Sequence, residues 1–433
     1  MKALRGRIAW IAAAATALVG GGGMLAMPSG ASATQMPASS PRVLFAAPGA
    51  KPAASGTSCR SAKFATISAA VAVSKAGGTV VACPGTYKED VVVSIPLTLI
   101  GESATINATG LPGAPTGAIN GQAPFNGITI ESSHVTVEGF KVEGAEGEGI
   151  LAVNPNPVAK VVAGMSLSTG TPITDVKILN NDVTGNDLGN ENPDSPYVFC
   201  TPNGGGDCGE GIHLLSVANS TVIDNRSVGN SGGILLTDEF GPTHDNLIAR
   251  NQVLNNVNDC GITIPSHNLG LNPTTGKPDP SFGGVYRNNV VGNVVTGNGT
   301  KGFGAGIGVF APAPFSASYD NVVSGNFIAG NGLAGISVHS HAPNAFVDGN
   351  VFTRNVIGTN NVTLEDGADV SPKDTQTTGI LIWSAASLYH FTVTNNIIFN
   401  NAIGVWYTPA TIQASGLGTN RFIHVATPVL PAS

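Results

Sequence analysis

The sequence predicts an all-β chain wound as a parallel β-helix, a solenoid of ~22-residue coils with three short strands each. Three observations predict it. The phrase Gly-Ile-x-aliphatic returns along the chain, as GITI at 127, GILA at 149, GIHL at 211, GILL at 233, GITI at 261, GIGV at 306, GISV at 335 and GILI at 379. AIGV at 402 reads as a ninth copy with Ala for Gly, and the tightest spacing is 22 residues, from 127 to 149 and from 211 to 233. Asparagine recurs every five residues, as in Asn246/Asn251/Asn256, Asn288/Asn293/Asn298 and Asn321/Asn326/Asn331. Five residues is a short strand plus a corner; Asn suits corners, and stacked Asn side chains bond one another along a ladder. Finally, only 11% of residues are charged while Gly numbers 57, which disfavours both a coiled coil and charge-rich disorder.

The elements follow in order. Residues 1–33 read as a secretory signal peptide: MKALRGRIAW carries three positive charges, WIAAAATALVG is apolar, and Ala31-Ser32-Ala33 supplies a small-residue cleavage site. No later apolar run is long enough to span a bilayer, so a secreted, extracellular protein is expected. Residues 34–57 are rich in Pro, Ala and Ser and read as a linker. At Lys63 a helical pattern begins, KFATISAAVAVSKAGG, with Phe64, Ile67 and Val71 apolar and a Gly stop. Such a helix would cover the open end of the solenoid. TVVAC, PGTY, DVVVSI and LTLIG then read as short strands. The β-helix is expected over 58–427, with a tail at 428–433.

Removing Lys2, Arg5 and Arg7 leaves 17 basic against 27 acidic residues, a formal charge of −10, so a nucleic-acid partner is not expected. Five cysteines fit an oxidising compartment. Cys59 with Cys83, and Cys200 with Cys208, read as two disulfides; Cys260 is left as a buried free thiol.

The run from Cys59 to Glu102, with ATISAAVAVSKAGGTVVACPGTYKEDVVVSIPLTLIGE, resembles the start of secreted right-handed parallel β-helix proteins of the pectin-lyase-like superfamily. The resemblance extends over nearly the whole mature chain. It implies a right-handed solenoid with an N-terminal capping helix and a carbohydrate ligand. It leaves activity open, because that fold hosts lyases, hydrolases, esterases, epimerases and non-enzymes.

Aligning the coils places residues in columns. Directly after the repeated phrase stand Thr237, Pro265, Phe310, His339, Trp383 and Trp406, and two positions further stand Glu239, His267, Pro312 and His341. A second column holds His244, Tyr286, Tyr319 and Tyr389. One long edge is therefore expected to carry a groove, with Asp238, Glu239, His244 and His267 as catalytic candidates at one end. Tyr286, Tyr319, Phe310 and Trp383 would continue it as a surface for sugar rings, with Arg287 and an outward-facing His213 beside it. His339 and His341 lie roughly 14 Å along from Asp238 at ~4.8 Å per coil and read as a separate subsite rather than a metal pair. Asp245, before a corner Asn, reads as a turn residue. Consecutive residues in a strand face opposite ways, so only one of Asp238 and Glu239 is expected to enter the groove.

Three function classes fit. Asp238, Glu239 and Asp259 could supply the two carboxyls of a polysaccharide hydrolase. His244 or His267 could be the base of a lyase or epimerase acting on uronic acids, with Tyr286 as donor and Arg287, Lys277 or a Ca²⁺ held by Asp238 and Glu239 neutralising the substrate's acid. Pro242-Thr243-His244-Asp245 is loosely similar to the Asp-Pro-His-Asp motif of alginate epimerases, without its first Asp; the polygalacturonase signatures Asn-Thr-Asp, Gly-His-Gly and Arg-Ile-Lys are absent. The third class is a non-catalytic glycan-binding or cell-surface module. A Met-rich copper site is excluded, since Met165 is the one methionine inside the expected fold. The sequence favours a secreted monomer acting on a polysaccharide.

Overall fold

The computed structural model describes residues 43–111, 126–186, 210–301, 304–364, 374–385 and 388–431. The expected signal peptide and the Cys200–Cys208 bridge lie outside them. The described chain is a right-handed parallel β-helix whose coils stack through parallel pairing. One wall is an eleven-stranded sheet that includes Ile150–Val153, Ile212–Leu215, Ile234–Thr237, Ile262–Pro265, Ile307–Ala311, Ile336–Ser340, Thr378–Ser384 and Ile403–Tyr407. A 21-stranded sheet bends round the asparagine corners to supply further walls, and a five-stranded sheet runs through Val217–Ala218, Thr243–His244, Val285–Tyr286 and Ser318–Tyr319.

The repeated phrase is explained by packing. Its Ile points inward, and Ile128, Ile150, Ile212, Ile234, Ile262, Ile307, Ile336 and Ile380 pair in register from coil to coil with no exposed surface. Each such side chain contributes about 2 kcal/mol of burial. The Gly is required by closeness: a Cβ on Gly233 would stand 2.1 Å from the Gly261 carbonyl oxygen and 2.3 Å from Val253 Cγ1.

The asparagines form three ladders. In one, Asn181, Asn225, Asn251, Asn293, Asn326, Asn355 and Asn396 each donate Nδ2 to the Oδ1 of the next, ending on Asn420, at 2.8–3.1 Å. The backbone N–H of each donates to the same oxygen, as Asn251 does to Asn293 at 2.9 Å. The left-handed corner belongs to the residue before the ladder position, for example Arg250 at φ 55° and Asp245 at φ 56°. The ladder residues are buried except the terminal Asn420; Asn246, Asn288 and Asn321 show no exposed surface.

Several boundaries differ from the sequence reading. Val43–Ala46, inside the expected linker, is a strand paired with Gly78–Ala82. Thr427–Pro431 enters the expected tail and pairs with Ile403–Tyr407. The helix covers only Ile67–Ala72; Thr66 Oγ1 caps it by accepting from Ala69 N, and Ile67, Ala70 and Val71 are buried. The Glu89 carboxylate accepts from Ile67 N and Ser68 N at 2.7 and 2.9 Å. Phe64 lies before this helix in an extended bridge to Ala46, which is why the helical stretch is shorter than its apolar spacing suggests. Cys59 and Cys83 are disulfide-bonded, and Cys260 is a buried free thiol. The ninth repeat is shifted by two: Ile380 pairs with Val405 and Leu381 with Trp406, so Gly404, not Ala402, matches Gly379.

Candidate functional site

Two loops leave the outer edge of the eleven-stranded wall on neighbouring coils. One follows Ile234–Thr237 and holds Asp238, Glu239 and Phe240; the other follows Ile262–Pro265 and runs from Ser266 to Gly284. Asp238 and Glu239 diverge: the first turns into the 266–284 loop and the second toward the His267 ring.

Asp238 is fully buried. Its Oδ1 accepts from His267 N at 2.8 Å and Asn268 N at 3.1 Å. Its Oδ2 accepts from Ser266 Oγ at 2.8 Å and Gly284 N at 2.6 Å. One carboxylate thus ties both ends of the 266–284 loop. Burial, then the charge of Glu239, push this carboxyl up to about 6, against the hydrogen bonds from Ser266 and Gly284. This is an anchor's geometry, and it corrects the reading of Asp238 as a catalytic acid or base. It also counts against Asp238 as a calcium ligand, because four donors already occupy its oxygens. The calcium expectation then rests on Glu239 alone, and no metal-binding group of three or more His, Cys, Asp or Glu occurs among the described residues.

Glu239 points the other way. Its Oε1 meets His267 Nδ1 at 2.6 Å, and the two side chains are 25% and 28% exposed. Burial raises the Glu239 carboxyl, but the His267 charge and hydrogen bond, helped by His213 and the Thr237 hydroxyl, outweigh it and hold the group below the usual carboxylate range. Glu239 and His267 are therefore the part of the expected catalytic set that meets at a half-exposed surface.

A hairpin closes against both loops. Val158–Val162 pairs antiparallel with Met165–Thr169. Asn154 Nδ2 donates to the Phe240 carbonyl at 3.1 Å, and Thr169 Oγ1 to that of Ser281 at 3.0 Å. Asn268 Nδ2 donates to the Ser168 carbonyl. At the hairpin's base Gly241 adopts φ 127°, where a Cβ would stand 2.6 Å from the Gly170 oxygen.

His213 is not the exposed surface residue the sequence suggests. It does face outward from its strand, yet it is 1% exposed. Its Nδ1 lies 3.0 Å from Glu148 Oε1 and its Nε2 2.8 Å from Thr237 Oγ1. Glu148 and Glu210 are both buried beside this wall, and the sequence reading passed over them. A signal existed: Gly-Glu-Gly-Ile opens two successive copies of the phrase, at 147 and 209, where other coils carry no acid.

His244, Tyr286 and Tyr319 do not extend the groove. His244 stacks on Tyr286 at 4.8 Å and Tyr286 on Tyr319 at 4.9 Å. Tyr286 and Tyr319 are buried with Leu271 and Ala317 beneath the long loop. His244 Nδ1 contacts Asp245 Oδ2 at 2.6 Å, and Arg287 makes a two-point contact to Asp245 at 2.8 and 2.6 Å while lying 4.7 Å over the Tyr286 ring. The hydrogen bonds from Arg287, then that from His244, outweigh burial and hold Asp245 at about 2. Asp245 is a corner residue, as expected. Tyr389 belongs outside this column: it packs edge-on against Phe346 and donates to the Ala345 carbonyl.

Phe310, His339 and Trp383 do stand in one register on three successive strands and are half-buried. Phe310 and His339 rings are 4.1 Å apart, and His341 lies 4.4 Å from His339 and 5.7 Å from Trp383. His339 Nδ1 contacts His341 Nε2. Burial, then the His341 charge, push His339 well below the ordinary imidazole range. Pro265 pairs with Phe310, which makes the patch continuous along the wall with the strand leading to His267. Trp406 is buried with Leu381 and Ile403 instead.

No family model matches the sequence, and no curated protein matches it. Among solved structures, the chain is similar to a surface adhesin of Streptococcus pneumoniae, at 15% identity and TM-score 0.49 over 83% of this chain and 85% of that one. It is similar to the A-module of a mannuronan C-5 epimerase of Azotobacter vinelandii, at 13% identity and TM-score 0.46 over 85% and 93%. The enzymatically active domain of tailspike protein 2 of bacteriophage CBA120 matches at 12% identity and TM-score 0.47 over 80% of this chain, which spans 44% of that domain's length. The chain's own coils, stacked in parallel register, carry the conclusion: it is a right-handed parallel β-helix protein.

Proposed function

We propose that this protein is a secreted, monomeric carbohydrate-active enzyme that transfers a proton to or from a polysaccharide at the Glu239–His267 pair. The observation that carries the reading is the 2.6 Å contact between Glu239 Oε1 and His267 Nδ1 at a half-exposed edge. Glu239 orients the ring through Nδ1, and Nε2 is the nitrogen assigned to take the proton. The half-buried Phe310, His339, His341 and Trp383 patch supplies ring faces on the same wall for the apolar sides of sugars. Cys59–Cys83 fits an oxidising compartment, and no described helix is long and apolar enough to cross a membrane.

Hydrolysis by two carboxyls is the weaker fit. Glycosidases hold the two groups within about 9.5 Å. Asp238 is sealed off, and Asp259 sits before the strand Ile262–Pro265 while His267 follows it, with the strand's length of about 13 Å between them. Proton abstraction next to a uronate carboxylate needs one base. His267 takes the proton from C5, the electron pair forms the C4–C5 double bond, and the bond from C4 to the glycosidic oxygen breaks, that oxygen taking a proton from solvent water. Lys277, exposed on the loop that carries His267, is the cation proposed to face the substrate's carboxylate.

The test is incubation with neutral and uronate polysaccharides, with and without Ca²⁺. Absorbance from unsaturated uronate is expected. New reducing ends without that absorbance would replace the elimination by hydrolysis. Binding without product on every polymer would reduce the protein to a glycan-binding module.

A further inference from the structure

Behind the half-exposed pair lies a chain of buried polar groups that the reaction itself does not use. Glu148, His213 and Thr237 are 0%, 1% and 0% exposed. His213 and Thr237 come from neighbouring strands of one wall, and Glu148 from the segment just before the adjoining strand Ile150–Val153. His213 Nδ1 meets Glu148 Oε1 at 3.0 Å and Nε2 meets Thr237 Oγ1 at 2.8 Å. The second oxygen of Glu148 is buried without a hydrogen-bond partner. Burying a polar chain this completely is costly unless its geometry is held.

A threonine hydroxyl has a single proton. With His213 neutral and its Nδ1–H directed to Glu148, Thr237 donates to Nε2. With His213 protonated, Nε2–H donates to Thr237, and the hydroxyl proton turns to the Glu239 carboxylate two residues on, a group that the Thr237 hydroxyl helps to lower. His213 contacts Glu148 and Thr237 and lies within reach of the Glu239 charge, with His267 beyond Glu239; Glu210 is buried beside the same wall, and Asp238 turns into its own loop.

We propose that Glu148, His213 and Thr237 are positioning residues that transmit the protonation state of His213 to the Glu239–His267 pair through the direction of the Thr237 hydroxyl. The relevance to catalysis rests on the reaction proposed above; the coupling itself does not.

The test is a pH titration of the full chain labelled with ¹³C-histidine, followed by NMR, with His213→Gln and His267→Gln used for assignment. The His267 resonance is expected to show a second inflection at the His213 midpoint. Thr237→Val, which keeps the side-chain shape and removes the hydroxyl, abolishes that inflection, and Thr237→Ser restores it. His213→Gln raises the His267 midpoint, because a neighbouring positive charge is lost. An inflection unchanged in Thr237→Val, or a His267 midpoint unmoved in His213→Gln, overturns the proposal. No substrate is needed, so coupling found in a protein inactive on every polymer upholds the chain and removes only the reaction.

Discussion

Glu239 and His267 stand 28 residues apart in sequence and are joined across two neighbouring coils by a 2.6 Å contact from Oε1 to Nδ1. The relationship depends on both loop starts being fixed, and Asp238 fixes them by accepting from the backbone of His267 itself. Adjacent acids thus divide the work: one holds the histidine's main chain and the other its ring.

Removing the ring's partner or the ring tests the chemistry. His267→Gln and Glu239→Gln are expected to lower turnover of a uronate polymer by at least about 100-fold, the usual range for a lost proton-transfer group. Both side chains are partly exposed, so the melting temperature should stay within a few degrees of wild type. A large loss of stability with turnover intact would make the pair structural.

Asp238→Asn should behave in the opposite way. An amide nitrogen would face N–H donors where the carboxylate now accepts four hydrogen bonds. The expected cost is roughly 3 kcal/mol. Limited proteolysis should cut the 266–284 loop in the variant before any other described segment.

The ladders predict a gradient in cost. Asn293 is buried at mid-ladder, accepts from Asn251 and donates to Asn326 and the Ile248 carbonyl. Asn293→Ala should destabilise by about 2–3 kcal/mol in denaturant titrations, because it strands several buried groups. Asn420 lies at the end of the ladder and is half-exposed. Asn420→Ala should cost less than half as much.

Asp245 supplies a pH signature. Its folded carboxyl titrates at about 2, below an unfolded value near 3.9. The stability it contributes is therefore present above pH ~4 and lost as pH falls through ~2. Arg287→Gln should flatten that part of the acid-unfolding curve. The difference should stay below about 1 kcal/mol, since the pair is partly exposed and screened.

Trp383→Ala should weaken glycan binding roughly tenfold without changing the cleavage product, as expected for loss of one aromatic platform. Calorimetry on an oligosaccharide of the cleaved polymer would measure it; unchanged affinity would move the binding surface elsewhere.

The coil repeat was legible because it is imposed by packing: Ile in, Gly where backbones touch, Asn in the corner. Where a residue's role depended on a loop's path, the sequence was a poor guide. Asp238 and Glu239 look equivalent as text, and only the fold of 266–284 shows that one is sealed by four donors. Tyr286 and Tyr319 looked like a groove because the loop that covers them was counted only by length. His213 looked exposed because outward-facing positions of a sheet are often wet, yet this stretch of wall is covered. AIGV at 402 shows the limit of matching phrases, for the true register lies two residues later.

The asparagine columns have one more consequence. Successive ladder members are separated by 44, 26, 42, 33, 29, 41 and 24 residues, yet each step closes with the same bond at about 3 Å. The contour between rungs is thus independent of the rise between them. Segments of very different length can be spliced into or cut from an edge while the stack keeps its register, so the solenoid can exchange edge segments without renegotiating its fold.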